Sequence, residues 1–158
     1  MTNPAPVAAP ARLAEIEAII AAHLWREGPL LPILHDVQAA FGFIPSDAHA
    51  PIAAALNISR AELHGVLSFY HDFRDAPAGK HVLKICRAEA CQAMGGAAMS
   101  QAVLDTLGLD WNQTTRDGRV TVEPVYCLGL CACAPAAMVD GKLKGRATAQ
   151  TILAELSA

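Results

Sequence analysis

The spacing of apolar residues divides the chain into a first half with helical periodicity and a second half with short runs typical of strands. Two stripes open the chain: Leu13, Ile16, Ile20 and Leu24, then Leu31, Leu34, Val37 and Phe41. Both follow the 3.6-residue period of an amphipathic helix. Gly28-Pro29 ends the first predicted helix, and Gly42 is a suitable residue to end the second.

Two more helices are expected before residue 75. Ser46 is a suitable N-cap for a helix that runs to about Leu56, provided that Pro51 lies in its first turn. Ser59 and Glu62 form the sequence signature of a capping box, which predicts a fourth helix behind them. The aromatic residues of this half are expected mainly in its core: Phe41, Phe43, Phe69, Tyr70 and Phe73.

The second half has strand composition and turn signals. Residues 81–85 read as a strand, and Gly95-Gly96 opens a helix that runs to about Leu107. Residues 119–125 form a second strand, and the Asp140-Gly141 pair between two short apolar runs predicts a hairpin. Thr148 caps a last helix. The order β-α-β-β-α suits a small thioredoxin-like α/β layer.

These patterns predict an α/β protein with two parts. Residues 12–74 form an N-terminal helical bundle, residues 75–80 a linker, and residues 81–158 a thioredoxin-like α/β domain. Residues 1–11 contain three prolines and are predicted to be a disordered tail. Two parts of this size are marginally stable alone, so we expect each to rely on the other or on a partner.

Composition narrows the possible functions. The chain is 53% hydrophobic with only 17% charged residues, which favours a subunit whose surface is covered. Its net charge of −3 leaves no basic footprint for nucleic acid. No apolar run approaches the roughly 18–20 residues needed to span a bilayer, so membrane insertion is not expected. The N-terminus lacks the basic start and continuous apolar stretch of a secretory signal, which favours the cytoplasm.

Cysteines are the strongest chemical signal in the chain. All five lie between positions 86 and 133, and four of them form the pattern C-x4-C, a gap of 35 residues, then C-x3-C. These four are Cys86, Cys91, Cys127 and Cys131. Thiols in the cytoplasm stay reduced, and clustered cysteines there bind metal more often than they form disulfides.

The spacing favours a [2Fe–2S] cluster, which takes four thiolates, two for each iron. Small neighbours leave backbone amides free to approach the sulfurs, and Leu128 and Leu130 are expected to exclude water. Structural zinc also uses four cysteines, so a zinc-stabilised interaction module without redox activity is the rival hypothesis. Cys133 is either a small buried residue or a substitute ligand for Cys131.

The same residues resemble a known family. The motif residues are Cys86-x4-Cys91 with Gly95-Gly96, then Cys127-Leu128-Gly129-Leu130-Cys131 followed by Ala134-Pro135, together with Gly65-Val66-Leu67-Ser68-Phe69-Tyr70. They are similar to the 24-kDa-type [2Fe–2S] subunit of respiratory complex I and its soluble relatives, over about Leu13 to Leu156. The stretches LPILHDVQAAFGFIP, SFYHDFR and CLGLCACAP most resemble the gamma subunit of soluble NAD-dependent formate dehydrogenases.

This resemblance implies a [2Fe–2S] cluster on Cys86, Cys91, Cys127 and Cys131. The sequence contains no nucleophile–base–orienter set and no phosphate-binding glycine-rich loop after a strand, so no active site is expected on this chain alone. It implies a partner flavoprotein that binds FMN and NAD and carries a [4Fe–4S] cluster, with which the [2Fe–2S] cluster exchanges electrons. The formate dehydrogenase hypothesis adds an alpha subunit with a molybdenum cofactor. The alternatives are the equivalent subunit of complex I or of an NAD-linked hydrogenase.

Overall fold

The computed structural model describes residues 9–157. The chain divides into two compact units between Pro77 and Ala78, inside the predicted linker 75–80. The first unit contains α1 (Ala9–His23), α2 (Leu30–Phe41), α3 (His49–Ala55) and α4 (Arg60–Phe69). The second contains β1 (His81–Cys86), α5 (Glu89–Ala93), α6 (Gly96–Leu107), β2 (Gln113–Thr114), β3 (Val120–Val125), β4 (Ala137–Val139), β5 (Lys142–Lys144) and α7 (Ala149–Leu156). Of the described helices, none has the length and apolar character to cross a membrane.

Helix α1 begins and ends earlier than the sequence pattern indicates. It starts at Ala9, inside the predicted tail 1–11, and residues 1–8 of that tail lie outside the described residues. Pro10 is compatible with this start because the first turn of a helix needs no N–H from its residues. The helix ends at His23, so Leu24 leaves the apolar stripe and is 49% exposed.

The core of the first unit comes from the predicted apolar stripes. Its largest fully buried side chains are Ile16, Ile33, Leu34, Val37, Ile52 and Leu63. Gly42 ends α2 with a φ of 82°, a conformation that glycine adopts without steric cost. The capping box is present as predicted: Ser59 Oγ accepts from the Glu62 N–H, and the Glu62 carboxylate accepts from the Ser59 N–H. Pro51 lies in the first turn of α3.

The aromatic residues are less uniformly buried than expected. Phe41 is buried, while Phe43 and Phe73 are half-buried against the core of the first unit. Phe69 is 73% exposed and packs edge-on against Tyr70, with ring centroids 5.1 Å apart. The expectation of a core position is therefore wrong for Phe69 and for Tyr70, which is 43% exposed. Phe69 lies in the last turn of α4, about 120° around the helix from the buried Leu63, and Tyr70 follows the end of that helix.

The second unit is a five-stranded sheet in the order β2-β3-β1-β4-β5. Strands β1 and β3 run parallel, and the other neighbouring pairs are antiparallel. Helices α6 and α7 pack against the sheet, and their shared core consists of Leu83, Ile85, Met99, Val103, Leu104, Val120, Val122, Ala137, Val139, Ala147, Ile152 and Leu156. The sheet is therefore supported by two helices, one from the connection between β1 and β3 and one that follows β5.

Most predicted elements of this unit are present. The strands at 81–86 and 120–125, the helix from Gly96 and the hairpin at Asp140-Gly141 agree with the sequence pattern. Thr148 caps α7 by accepting a hydrogen bond from the Thr151 N–H. The sequence pattern did not predict the two-residue strand β2 or the five-residue helix α5, which are too short to show a period.

We expect Leu34→Ala to lower the free energy of unfolding by about 2 to 5 kcal/mol, because Leu34 is fully buried and alanine leaves a cavity. Leu24→Ala is the matched control, and its half-exposed site predicts a change below about 1 kcal/mol. Urea unfolding followed by circular dichroism measures both variants. Equal midpoints for the two would contradict the packing described above.

Candidate metal centre

Parallel pairing of β1 and β3 brings the two cysteine segments to one edge of the sheet. Cys86 is the last residue of β1 and lies opposite Val125, the last residue of β3. Cys127 follows two residues later. The carboxyl ends of neighbouring parallel strands are where open α/β sheets place their ligands. Strand pairing therefore brings together two cysteine pairs that are separated by 35 residues in the sequence.

The first pair of cysteines is buried. Cys86 and Cys91 are 3% and 1% exposed, and they pack with Ala134 and Ala136. The Cys86 N–H donates to the Ala136 carbonyl at 3.0 Å, which ties the end of β1 to the segment after the second cysteine loop. Apolar side chains complete the wall: Ala88, Val125, Leu128 and Leu130.

Helix α5 carries Cys91 and rests on Gly96. A Cβ atom added at Gly96 would lie 2.6 Å from the Cys91 carbonyl oxygen and 3.0 Å from its carbonyl carbon. Real Cβ atoms do not approach backbone this closely, so the start of α6 fits under Cys91 only with glycine at position 96. Gly95, with a φ of 86°, turns the chain from α5 into α6.

The second pair is exposed. Cys127 and Cys131 lie at the surface with their Sγ atoms 3.8 Å apart. Between them, Gly129 has a φ of 76° and donates its N–H to Cys127 Sγ at 3.3 Å. The tight turn thus points an amide at the sulfur, and amide hydrogen bonds of this kind stabilise a thiolate or a cluster sulfur.

The two pairs lie close enough to influence each other's ionisation. Burial raises the pKa of Cys91, a hydrogen bond with Cys86 and the proximity of Cys131 act in the same direction, and a hydrogen bond with the Ala136 backbone opposes them. The pKa of Cys131 is raised by its hydrogen bond with Cys127 and by the negative charge of Cys127 and Cys86. Four thiolates this close repel each other, so a bound cation is needed to hold all of them deprotonated.

Cys133 belongs to a different set of contacts. Its N–H donates to the Leu130 carbonyl at 2.8 Å, and its own carbonyl accepts from the Arg146 N–H at 2.6 Å. Its Cβ lies against Gly145, where an added Cβ would be only 2.8 Å away. These contacts anchor Cys133 to the loop before α7, whereas the sulfur of Cys131 meets that of Cys127.

The arrangement of the four cysteines in two pairs matches the ligand set of a two-iron cluster. Structural zinc requires all four sulfurs at about 2.3 Å from a single centre. A [2Fe–2S] cluster instead takes its four cysteines in two pairs, and the structure provides a buried pair and an exposed pair.

A short cysteine-rich edge on a five-stranded α/β unit, preceded by a helical unit, defines an iron–sulfur protein of thioredoxin-like fold. The chain belongs to the thioredoxin-like [2Fe–2S] ferredoxin family, whose model matches residues 16–158. One [2Fe–2S] cluster is the cofactor of this family.

Two curated relatives belong to larger oxidoreductases. The chain is 35% identical to the HndA subunit of the NADP-reducing hydrogenase of Solidesulfovibrio fructosivorans, over 82% of this chain and 78% of the relative. It is 36% identical to an NADH-quinone oxidoreductase subunit of Pseudomonas aeruginosa, over 71% of this chain and 68% of the relative.

A solved structure of an NAD+-reducing [NiFe]-hydrogenase in the air-oxidised state is also similar. It matches with a TM-score of 0.68 and 26% sequence identity over 81% of this chain. The match covers 22% of the hydrogenase chain, so the present protein corresponds to about a fifth of that larger chain.

We expect Gly96→Ala to lower the iron and sulfide content per chain at least several-fold, because the added methyl group displaces the Cys91 backbone. Gly65→Ala is the matched control, since a Cβ at position 65 meets no atom within 4 Å. Colorimetric iron and sulfide assays on both purified variants measure the effect. A fully loaded Gly96→Ala chain would show that the close approach does not position Cys91.

Proposed function

We propose that this chain is an electron-transfer subunit that binds one [2Fe–2S] cluster through Cys86, Cys91, Cys127 and Cys131. The observation that carries the proposal is the meeting of a buried and an exposed cysteine pair at one sheet edge. When bound, the cluster supplies reversible one-electron chemistry. A cytoplasmic location is part of the proposal, because unpaired thiols persist in reducing compartments.

The residues around the sulfurs support this role. The Gly129 N–H and the Ala136 backbone offer hydrogen bonds to Cys127 and Cys91, which favour the more negative state of the site. The alanines and leucines of the apolar wall limit water on the buried side. Cys131 is preferred to Cys133 as the fourth ligand, because Cys131 shares the second pair and Cys133 is anchored to the loop before α7.

The exposed pair indicates the side from which a redox partner approaches. Cys127 and Cys131 are at the surface, and Tyr126, directly before Cys127, is 71% exposed. Met94, three residues after Cys91, is 64% exposed. Tyrosine and methionine are enriched at protein interfaces relative to the rest of the surface. We infer that a partner flavoprotein with FMN, NAD and a [4Fe–4S] cluster covers this edge.

The named relatives guide the choice of complex. A hydrogenase subunit, an NADH-quinone oxidoreductase subunit and an NAD+-reducing hydrogenase favour a hydrogenase or complex I type of assembly. They support these alternatives better than a formate dehydrogenase with a molybdenum-containing alpha subunit. The formate hypothesis is left with the motif resemblance of residues 31–45, 68–74 and 127–135 as its support.

We expect serine at position 86, 91, 127 or 131 to abolish or alter the spectrum of the reduced cluster, because each change removes one thiolate. Cys133→Ser is the matched control and should leave it unchanged. Low-temperature EPR of dithionite-reduced protein, with iron and sulfide analysis, measures the series. A colourless wild-type chain with zinc and no sulfide would overturn the proposal in favour of an interaction module.

Purification of the tagged chain from its native cells tests the complex. We expect it to co-purify with an FMN-containing subunit and with hydrogen-dependent NAD(P) reduction or NADH-dependent quinone reduction. Formate-dependent NAD reduction together with a molybdenum-containing partner would instead establish the formate dehydrogenase hypothesis. Mass spectrometry of the purified complex and the three activity assays decide between these outcomes.

A further inference from the structure

Arg87 directly follows the first predicted ligand, and its backbone is fixed on both sides. Its N–H donates to the Val125 carbonyl at 2.7 Å, and its carbonyl accepts from the Gln92 side-chain amide at 2.7 Å. The first bond continues the pairing of β1 with β3, and the second connects β1 to α5. The Cα of Arg87 therefore has a defined position beside Cys86.

The exposed side chain of Arg87 contacts an aromatic ring. Its guanidinium carbon lies 5.0 Å from the centroid of the Trp111 ring, a cation–π contact. Trp111 is half-buried and packs against the core of the sheet and helices. An isolated exposed arginine samples many rotamers, so a rigid aromatic platform confines its charge to one region.

A small cavity connects this charge with the metal centre. It encloses about 130 Å³ and is bordered by Cys86, Arg87, Gln92, Gly96, Ala97, Ser100, Gln101 and Trp111. That volume is below the range of sites for organic cofactors. Arg87 has the only permanent charge among the described residues that border it, and the N-terminal amides of α6 add partial positive charge on the same side.

We propose that Arg87 raises the reduction potential of the metal centre. Trp111 acts as a positioning residue, because it contacts the guanidinium group of Arg87. The inference rests on the proposed function, since it requires a cluster on the four cysteines. Reduction adds one negative charge to the site. A fixed cation bordering the same cavity as a ligand favours that reduced state, and its effect falls as salt screens it.

Redox titration of the full chain, followed by EPR, tests the inference. Arg87→Gln should shift the midpoint potential to a more negative value than wild type, and Arg87→Lys should restore most of the shift. Trp111→Leu keeps the charge but frees it, so its potential should lie between those of wild type and Arg87→Gln. The shifts should shrink in high salt.

Arg116→Gln is the matched control. Arg116 precedes the first residue of β3, and the metal centre lies beyond the last residue of that strand. At roughly 3.3 Å per residue, the first and last residues of β3 are about 17 Å apart, so Arg116 is far from the metal centre. The midpoint potential of Arg116→Gln should therefore equal that of wild type. A loaded Arg87→Gln chain whose potential matches that of Arg116→Gln would overturn this inference alone. A wild-type chain without iron and sulfide would overturn the proposed function.

Discussion

The parallel pairing of β1 with β3 is the constraint on which the metal centre depends. It aligns Cys86 with Val125, so the segments that carry Cys91 and Cys127 start from the same edge. Parallel strands need a long crossover connection, and the chain between them supplies helices α5 and α6. The residues that separate the cysteine pairs in sequence are therefore the ones that allow them to meet in space.

Small residues permit the close contacts that follow from this pairing. Gly96 lets α6 start directly beneath the Cys91 backbone, and Gly129 turns an amide toward Cys127. Gly145 gives Cys133 its place beside the loop before α7. A larger side chain at any of these positions would either displace its neighbours or require an unfavourable φ. The glycines thus act on the geometry of the thiols, although none of them provides a ligand.

The two cysteine pairs differ in their surroundings, and the difference has a functional meaning. The buried pair lies among alanines in a low-dielectric region, where uncompensated thiolates are costly. The exposed pair lies next to Tyr126 at the surface. A metal cluster bound across both pairs would be held firmly on one side and remain accessible on the other. Such an arrangement suits the electron-transfer role that we propose for this chain.

The amino-acid sequence by itself determined the class of protein and its candidate ligands. Apolar periodicity located the long helices, and the motif around Cys86, Cys91, Cys127 and Cys131 indicated the cofactor, because helical periodicity and the C-x4-C and C-x3-C spacings are each short-range properties of the chain. The sequence did not reveal α5, which is too short for a period, or the exposed positions of Leu24 and Phe69, which depend on where helices end. Strand register, the burial of one cysteine pair and the contact of Arg87 with Trp111 arise between residues far apart in the chain. Only tertiary packing decides such contacts, because local patterns do not specify which distant side chains become neighbours.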